Sequence, residues 1–177
     1  FTAEPLIRRA INAASRVGGA EQLQLVVEYA KRSDIDVKLK AEALAALAVW
    51  ANPSVLDRVD GRYRGRSQRN EQQIAQWLKP HVKDFYSETN PQVIVALGQI
   101  ISEYKFMEAA DKLAEFATAS TNPDIKIAAL KSLKALNAPN LGGVVEKAMV
   151  DSNSEVRAVA ISALSGSNLS KSALSNI

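Results

Sequence analysis

Residues 122–136, NPDIKIAALKSLKAL, decide the fold. Ile125, Ala129, Leu133 and Leu136 fall at offsets 0, 4, 8 and 11, which is one face of an α-helix. Asn122 stands where a side-chain oxygen can accept the free N–H groups of a first helical turn. Pro123 follows, at the position where a missing N–H costs nothing. The same spacing recurs at four other places, anchored at Leu6, Leu39, Val93 and Val156. Their offset-4 residues are Ala10, Ala43, Leu97 and Ala160, and their offset-8 residues are Ala14, Leu47, Ile101 and Leu164. At offset 11 stand Val17, Trp50, Tyr104 and Ser167, the last breaking the column. Successive anchors are 33, 54, 32 and 31 residues apart. A period near 32 with one long interval predicts stacked helical pairs with a single insertion.

A start signal runs through the copies. Asp36, Asn90, Asn122 and Asn153 each lie three residues before an anchor, and Ala3 stands there in the first copy. Pro91 and Pro123 come next in two copies, and Asp124 and Glu155 add negative charge near the positive helix end. Partner helices are expected at 21–32, 71–86, 107–119 and 143–150, with turns at Gly18-Gly19, at 137–140 and at Gly142-Gly143. Pro80 falls inside the second partner and should kink it. No strand-like alternation persists, so the fold class is all-α: an α-solenoid, a right-handed superhelix of about nine or ten helices, over residues 1–177 as one domain.

The composition agrees. Apolar residues make up 47% of the chain but aromatics only 6%, which suits helices packed closely through small side chains. The absence of cysteine excludes disulfides, thiolate metal sites and thioether attachment of haem or bilin. No apolar run approaches the length of a membrane span, and no signal-peptide pattern opens the chain. The chain opens at Phe1, its first repeated helix lacks a preceding partner, and Leu169, Ala173, Leu174 and Ile177 read as the first turns of another helix. These ends are expected of a piece of a longer protein.

The stretch 151–164, DSNSEVRAVAISAL, resembles the signature of short HEAT repeats of the phycobilisome-lyase-like class. An acidic turn there precedes Val156-Arg157, small residues and Leu164. Residues 122–130 match with Lys126 in place of Arg, and Asp36 to Lys40 match more loosely. The copy at Val93 departs with Ile94, and the first copy departs with Ala3 and Ile7. The resemblance covers nearly the whole chain outside 51–70 and implies an extended surface offered to partners.

The insertion, residues 51–70, holds five Arg, two Asp and no Lys. Of 22 basic and 19 acidic residues in the chain, 17 of each lie elsewhere, so the formal charge of +3 resides wholly in this segment. Its candidate partner-binding residues are Arg58, Arg62, Tyr63, Arg64, Arg66 and Arg69. They could track phosphates while Tyr63 stacks on a base. They could instead pair with carboxylates of a neighbouring protein domain through the guanidinium fork, or brace the loop internally against Asp57 and Asp60. Arg58 is expected to be held internally, beside Asp57 and the apolar Val55 and Leu56. Arg64 and Arg66 are expected free, because Gly65 loosens the backbone between them. Residues 50–64 also look like a linker in large multidomain bacterial proteins that join a sorbosone-dehydrogenase-like β-propeller, HEAT repeats and a c-type haem domain. That likeness implies an exported, redox-linked parent whose loop packs against another module.

Other chemistry is sparse. His81 is the only histidine and reads as a packed or surface residue. Trp50, Trp77, Phe85 and Tyr104 read as core. No phosphate-binding glycine loop follows a strand, and acidic residues are interspersed with Lys and Arg as on a solvated face. The expectation is a scaffold or interaction module, not an enzyme, with no cofactor, no metal site, no small-molecule substrate and a protein as partner. Nucleic-acid binding through the insertion is the alternative.

Overall fold

The computed structural model describes residues 3–164; the readings placed on Ser167 and on residues 169–177 lie outside them. Among the described residues the regular structure is helical: α1 (Glu4–Val17), α2 (Ala20–Lys31), α3 (Val37–Ala48), α4 (Glu71–Leu78), α5 (Pro91–Glu103), α6 (Ala110–Ala119), α7 (Pro123–Leu136), α8 (Leu141–Ala148) and α9 (Ser154–Leu164). Two 3₁₀ segments, Lys79–Phe85 and Met107–Ala109, join them. There is no strand among these residues, only an isolated antiparallel bridge between Leu56 and Tyr63. The protein is all-α.

The start signals act as the spacing requires. Asp36 accepts from the Lys38 N–H, Asn90 from Gln92, Asn122 from Asp124 and Ile125, and Asn153 from Glu155 and Val156. Each side chain thereby satisfies first-turn donors that have no intrahelical partner. Pro80 has the effect its chemistry dictates. It lacks an N–H and crowds the carbonyl one turn back, so α4 ends at Leu78 and the chain continues as the tighter 3₁₀ segment.

Two compact units divide the contacts, one up to Tyr104 and one from Lys105. In the first, α3 packs against α1, α2 and α5, and the 3₁₀ segment Lys79–Phe85 lies on α2 and α5. The core there is the repeated stripe: Leu39, Ala43 and Leu47 of α3 and Val93, Leu97 and Ile101 of α5, none more than 1% exposed. In the second unit, α7 packs against α6, α8 and α9, burying Ile125, Ala129, Leu133, Val156 and Ala160. Trp50, Phe85 and Tyr104 are buried as expected, and Trp77 is half-buried.

Two readings are corrected. Gly142 and Gly143 do not form a turn; α8 begins two residues earlier, at Leu141, because Leu141 supplies a further buried contact on the face of Val144, Val145 and Ala148. The first repeat copy is one residue out of register. Leu6 and Val17 are 66% and 69% exposed, whereas Ile11, Asn12 and Ser15 are buried. Anchoring on Ile7 instead puts Ile7, Ile11, Ser15 and Gly18 in the columns and gives an interval to Leu39 of 32 residues. The stripe was misjudged because this face of α1 buries polar groups that find their partners in the insertion.

With that register, the position after the anchor is basic in four copies: Arg8, Lys40, Lys126 and Arg157. Lys40 pairs with Glu88 at 2.7 Å, and Lys126 pairs with Asp151. Glu88 and Asp151 each stand five residues before the next anchor. Lys126 and then the Asn153 N–H hold the Asp151 carboxyl below its ordinary value. Where Ile94 replaces the base, the matching position before the next anchor is Ser120, so base and acid are absent together. Arg157 instead donates to the Asp151 and Ser152 carbonyls of its own turn.

Leu133→Ala is expected to lower stability by about 2–5 kcal/mol, whereas Leu6→Ala should change it by no more than about 0.5 kcal/mol. Urea midpoints check both; equal effects would contradict the corrected register. Asn122→Ala should cost about 1 kcal/mol through loss of the cap while the helical circular dichroism is retained.

Candidate functional site in the insertion

The insertion is closed where it leaves and rejoins the helices. The Trp50 indole donates to the Gly18 carbonyl at 3.2 Å, and the Arg69 N–H donates to the Ala51 carbonyl at 2.9 Å. The Arg69 guanidinium donates to the carbonyls of Ser15 at 2.6 Å and Arg16 at 3.1 Å, and also to that of Trp50. It lies 5.9 Å from the centroid of the Trp50 ring. The last carbonyls of α1 have no partner within the helix, and Arg69 supplies one from 53 residues away. Gly18 has φ +74°, and a Cβ there would fall 2.1 Å from Arg69 Cζ. Both the turn and the guanidinium therefore require glycine. Tyr104 performs a parallel service for α3: its hydroxyl donates to the Leu47 carbonyl at 3.0 Å and accepts the Ala51 N–H at 3.3 Å. Burial pushes that hydroxyl up to about 12.

Farther out, Asp57 organises the loop. Its carboxylate accepts the N–H groups of Val59 at 2.9 Å and Asp60 at 3.1 Å, the Asn12 amide at 2.8 Å and Arg64 Nε at 3.2 Å. The Val59 N–H, then Asn12, Asp60 and Arg64, hold its carboxyl well below the ordinary value. A narrow antiparallel turn results, with Asp57 N–H to Arg62 O and Arg64 N–H to Val55 O, both 2.8 Å. Gly61 takes φ +70° inside it. Arg16 ties the outer edge to α1 by donating to the Leu56 carbonyl at 2.6 Å.

The six candidate residues are not equivalent. Arg58 is held internally as expected, but by Glu42 of α3, at 3.0 Å from Nη2, rather than by Asp57 or Asp60. Glu42 also receives Arg8 at 3.5 Å. Arg64 corrects its expectation. It is paired with Asp57 at 3.2 Å and Asp60 at 3.1 Å, because its own N–H is already fixed to Val55 and Gly65 therefore loosens nothing before it. Arg69 is wholly engaged by carbonyls. Arg66 is exposed and makes no hydrogen bond or ion pair with the described residues, as expected. Arg62 has a side chain 79% exposed, with only a loose 3.9 Å approach to Asp60, and Tyr63 is 72% exposed.

Sequence reasoning missed Leu56 and Val59, which are 48% and 40% exposed beside Tyr63. It also missed Asn12, Arg16 and Gly18, whose roles depend on partners 32–45 residues away. The five-residue stretch from Asp57 to Gly61, a turn-former at its start and a residue suited to positive φ at its end, was the one local signal for the loop.

The remaining polar clusters are used internally. Lys31 Nζ donates to His81 Nδ1 at 3.0 Å and pairs with Asp84 at 2.9 Å, stitching α2 to the 3₁₀ segment. Lys40, Lys126 and Arg157 are each bonded to an acid or carbonyl as described above. No group of His and acidic side chains suited to holding a metal ion occurs among the described residues, and no described helix is long and apolar enough to cross a membrane.

Arg69→Ala should lower stability by about 1–3 kcal/mol, since it strands buried carbonyls, whereas Arg62→Ala and Arg66→Ala should stay within about 0.5 kcal/mol. Thermal melts distinguish them. Asp57 is ionised in the fold below the ordinary carboxylate value of 3.8, so its contribution is present above that pH and is lost as the pH falls beneath it. Asp57→Asn should therefore lower the Tm at neutral pH and flatten the stability profile below about pH 4; an unaltered acid limb would show that the network does not persist in solution. Searches of protein-family models, of curated proteins and of solved structures find no match to this chain.

Proposed function

We propose that this chain is a non-catalytic scaffold of HEAT-like helical pairs, a right-handed α-solenoid, that docks or spaces neighbouring domains of a larger, exported and redox-linked protein. The repeated anchor columns support the repeat reading. So do the caps before four of the helices, and the base–acid pairs Lys40–Glu88 and Lys126–Asp151 at equivalent positions. One observation carries the docking role. The insertion is braced at both ends and at Asp57, yet it leaves Leu56, Val59, Tyr63, Arg62 and Arg66 to solvent. A loop held in one conformation while exposing apolar and cationic side chains has already lost the entropy that binding would otherwise cost.

The alternative, binding of single-stranded nucleic acid, rests on Tyr63 between Arg62 and Arg64. Lys40, Lys126 and Arg157 are already engaged within their own units, so they do not add free cations to it. Fluorescence anisotropy with a labelled oligonucleotide decides between the two. The docking reading predicts no binding at low salt; tight binding that weakens steeply as salt rises would favour the nucleic-acid reading.

A further inference from the structure

Resting on the docking reading, we infer that the insertion recognises an acidic protein segment that seats an apolar anchor on the Leu56–Tyr63 pair and turns its carboxylates towards Arg62 and Arg66. The charge balance of the loop leads there. Both of its carboxylates are consumed: Asp57 by Asn12, Arg64 and two N–H groups, and Asp60 by Arg64 and the Arg62 N–H. Arg58 is answered by Glu42 and Arg69 by carbonyls. What remains is the positive charge of Arg66 and that of Arg62, whose ion pairing is the loose 3.9 Å approach to Asp60.

Those two arginines lie one residue before and three residues after Tyr63, with Gly65 at φ +82° between Tyr63 and Arg66. Leu56 and Tyr63 occupy bridged positions, and the hydrogen bonds on either side of them, Asp57 to Arg62 and Arg64 to Val55, make theirs a non-hydrogen-bonded pair. In such a pair the two side chains stand close together on one face of the ribbon. Asp57, Arg62 and Arg64 belong to the opposite alternation, and Asp57 turns towards Asn12 of α1. The apolar face is thus the one directed away from the scaffold, and Val59 is also exposed, in the turn itself. Tyrosine and arginine, both exposed in this loop, are residue types enriched at interface hot spots. Lipid is a poorer match, since anionic membranes are addressed by clusters of about four to eight basic residues and the loop leaves only Arg62 and Arg66 largely uncommitted. Nucleic acid is poorer too, because one exposed ring and two exposed arginines supply neither successive stacking platforms nor a cationic groove that tracks a backbone.

The test uses the 177-residue chain and three labelled probes. They are a short Asp/Glu peptide with a central Leu-Trp pair, single-stranded DNA, and vesicles containing phosphatidylserine. Anisotropy or vesicle co-sedimentation reads binding. The peptide should bind wild type, and Tyr63→Ser or Leu56→Ser should each weaken it about tenfold. Arg62→Glu combined with Arg66→Glu should abolish binding, while Val150→Ser, an exposed apolar change outside the insertion, should not alter it. Melting curves of each variant confirm that these exposed changes leave the fold intact. Failure of wild type to bind the peptide overturns the inference. Equal binding of poly-glutamate, or indifference to Tyr63→Ser and Leu56→Ser, overturns the apolar anchor and leaves docking by charge standing. Tighter binding of DNA or vesicles than of peptide, lost on reversing the arginines, overturns both the inference and the docking reading.

Discussion

The guanidinium of Arg69 ties the end of α1, the end of α3 and the close of the insertion to one another. It brings three carbonyls to one planar donor group, two from the end of α1 and one from Trp50 at the end of the repeated stripe of α3. Its own N–H closes residues 51–69 into a loop against Ala51. A lysine could not replace it, since a single ammonium lacks the fixed fork that reaches separate acceptors in one plane. The constraint spreads to its neighbours. Gly18 is needed so that the guanidinium can approach, Trp50 lies beneath it, and Tyr104 caps the adjoining turn of α3.

This brace changes what the insertion is. A segment of 20 residues rich in Arg, Gly, Ser and Asn has the composition of a flexible connector. Instead, its ends are tied to α1 and α3, and its middle is folded around one carboxylate. Asp57 accepts from two N–H groups, an amide and a guanidinium, so the turn is ordered by charge-assisted hydrogen bonds with little apolar burial. Apolar side chains that would fill a core in a larger loop are left facing outward, and the proposal of a docking surface rests on that exposure. The arginines divide by geometry into braces, Arg58, Arg64 and Arg69, and the residues available to a partner, Arg62 and Arg66.

The helical pattern was legible because it is local. Offsets of 0, 4, 8 and 11 identify a buried face from side-chain chemistry alone: all four residues are buried in the copies of α3, α5 and α7, and Val156, Ala160 and Leu164 are buried in α9. An Asn or Asp three residues before the anchor needs only its own first turn to act as a cap, and all four do so. In α1 the same rule failed for a physical reason. Apolarity was taken as the mark of the buried face, but Asn12 and Ser15 are buried there, and Leu6 and Val17 are left in water. Asn12 can be buried because Asp57, 45 residues on, accepts its amide proton. The turn read at Gly142-Gly143 failed more simply, since glycine in a first helical turn is tolerated when its neighbours Leu141 and Val144 have a face to bury.

By itself the sequence determined the helical class, the caps and the break at Pro80, all of which follow from interactions spanning a few residues. It also located the charge excess. Only the tertiary structure decided which arginine braces and which is free. That choice depends on carbonyls, carboxylates and a glycine brought close from α1 and α3, and a guanidinium forms these bonds with whichever acceptors the fold places within about 3 Å. Composition counts the charges of such a segment, whereas the partners that neutralise them are set by packing.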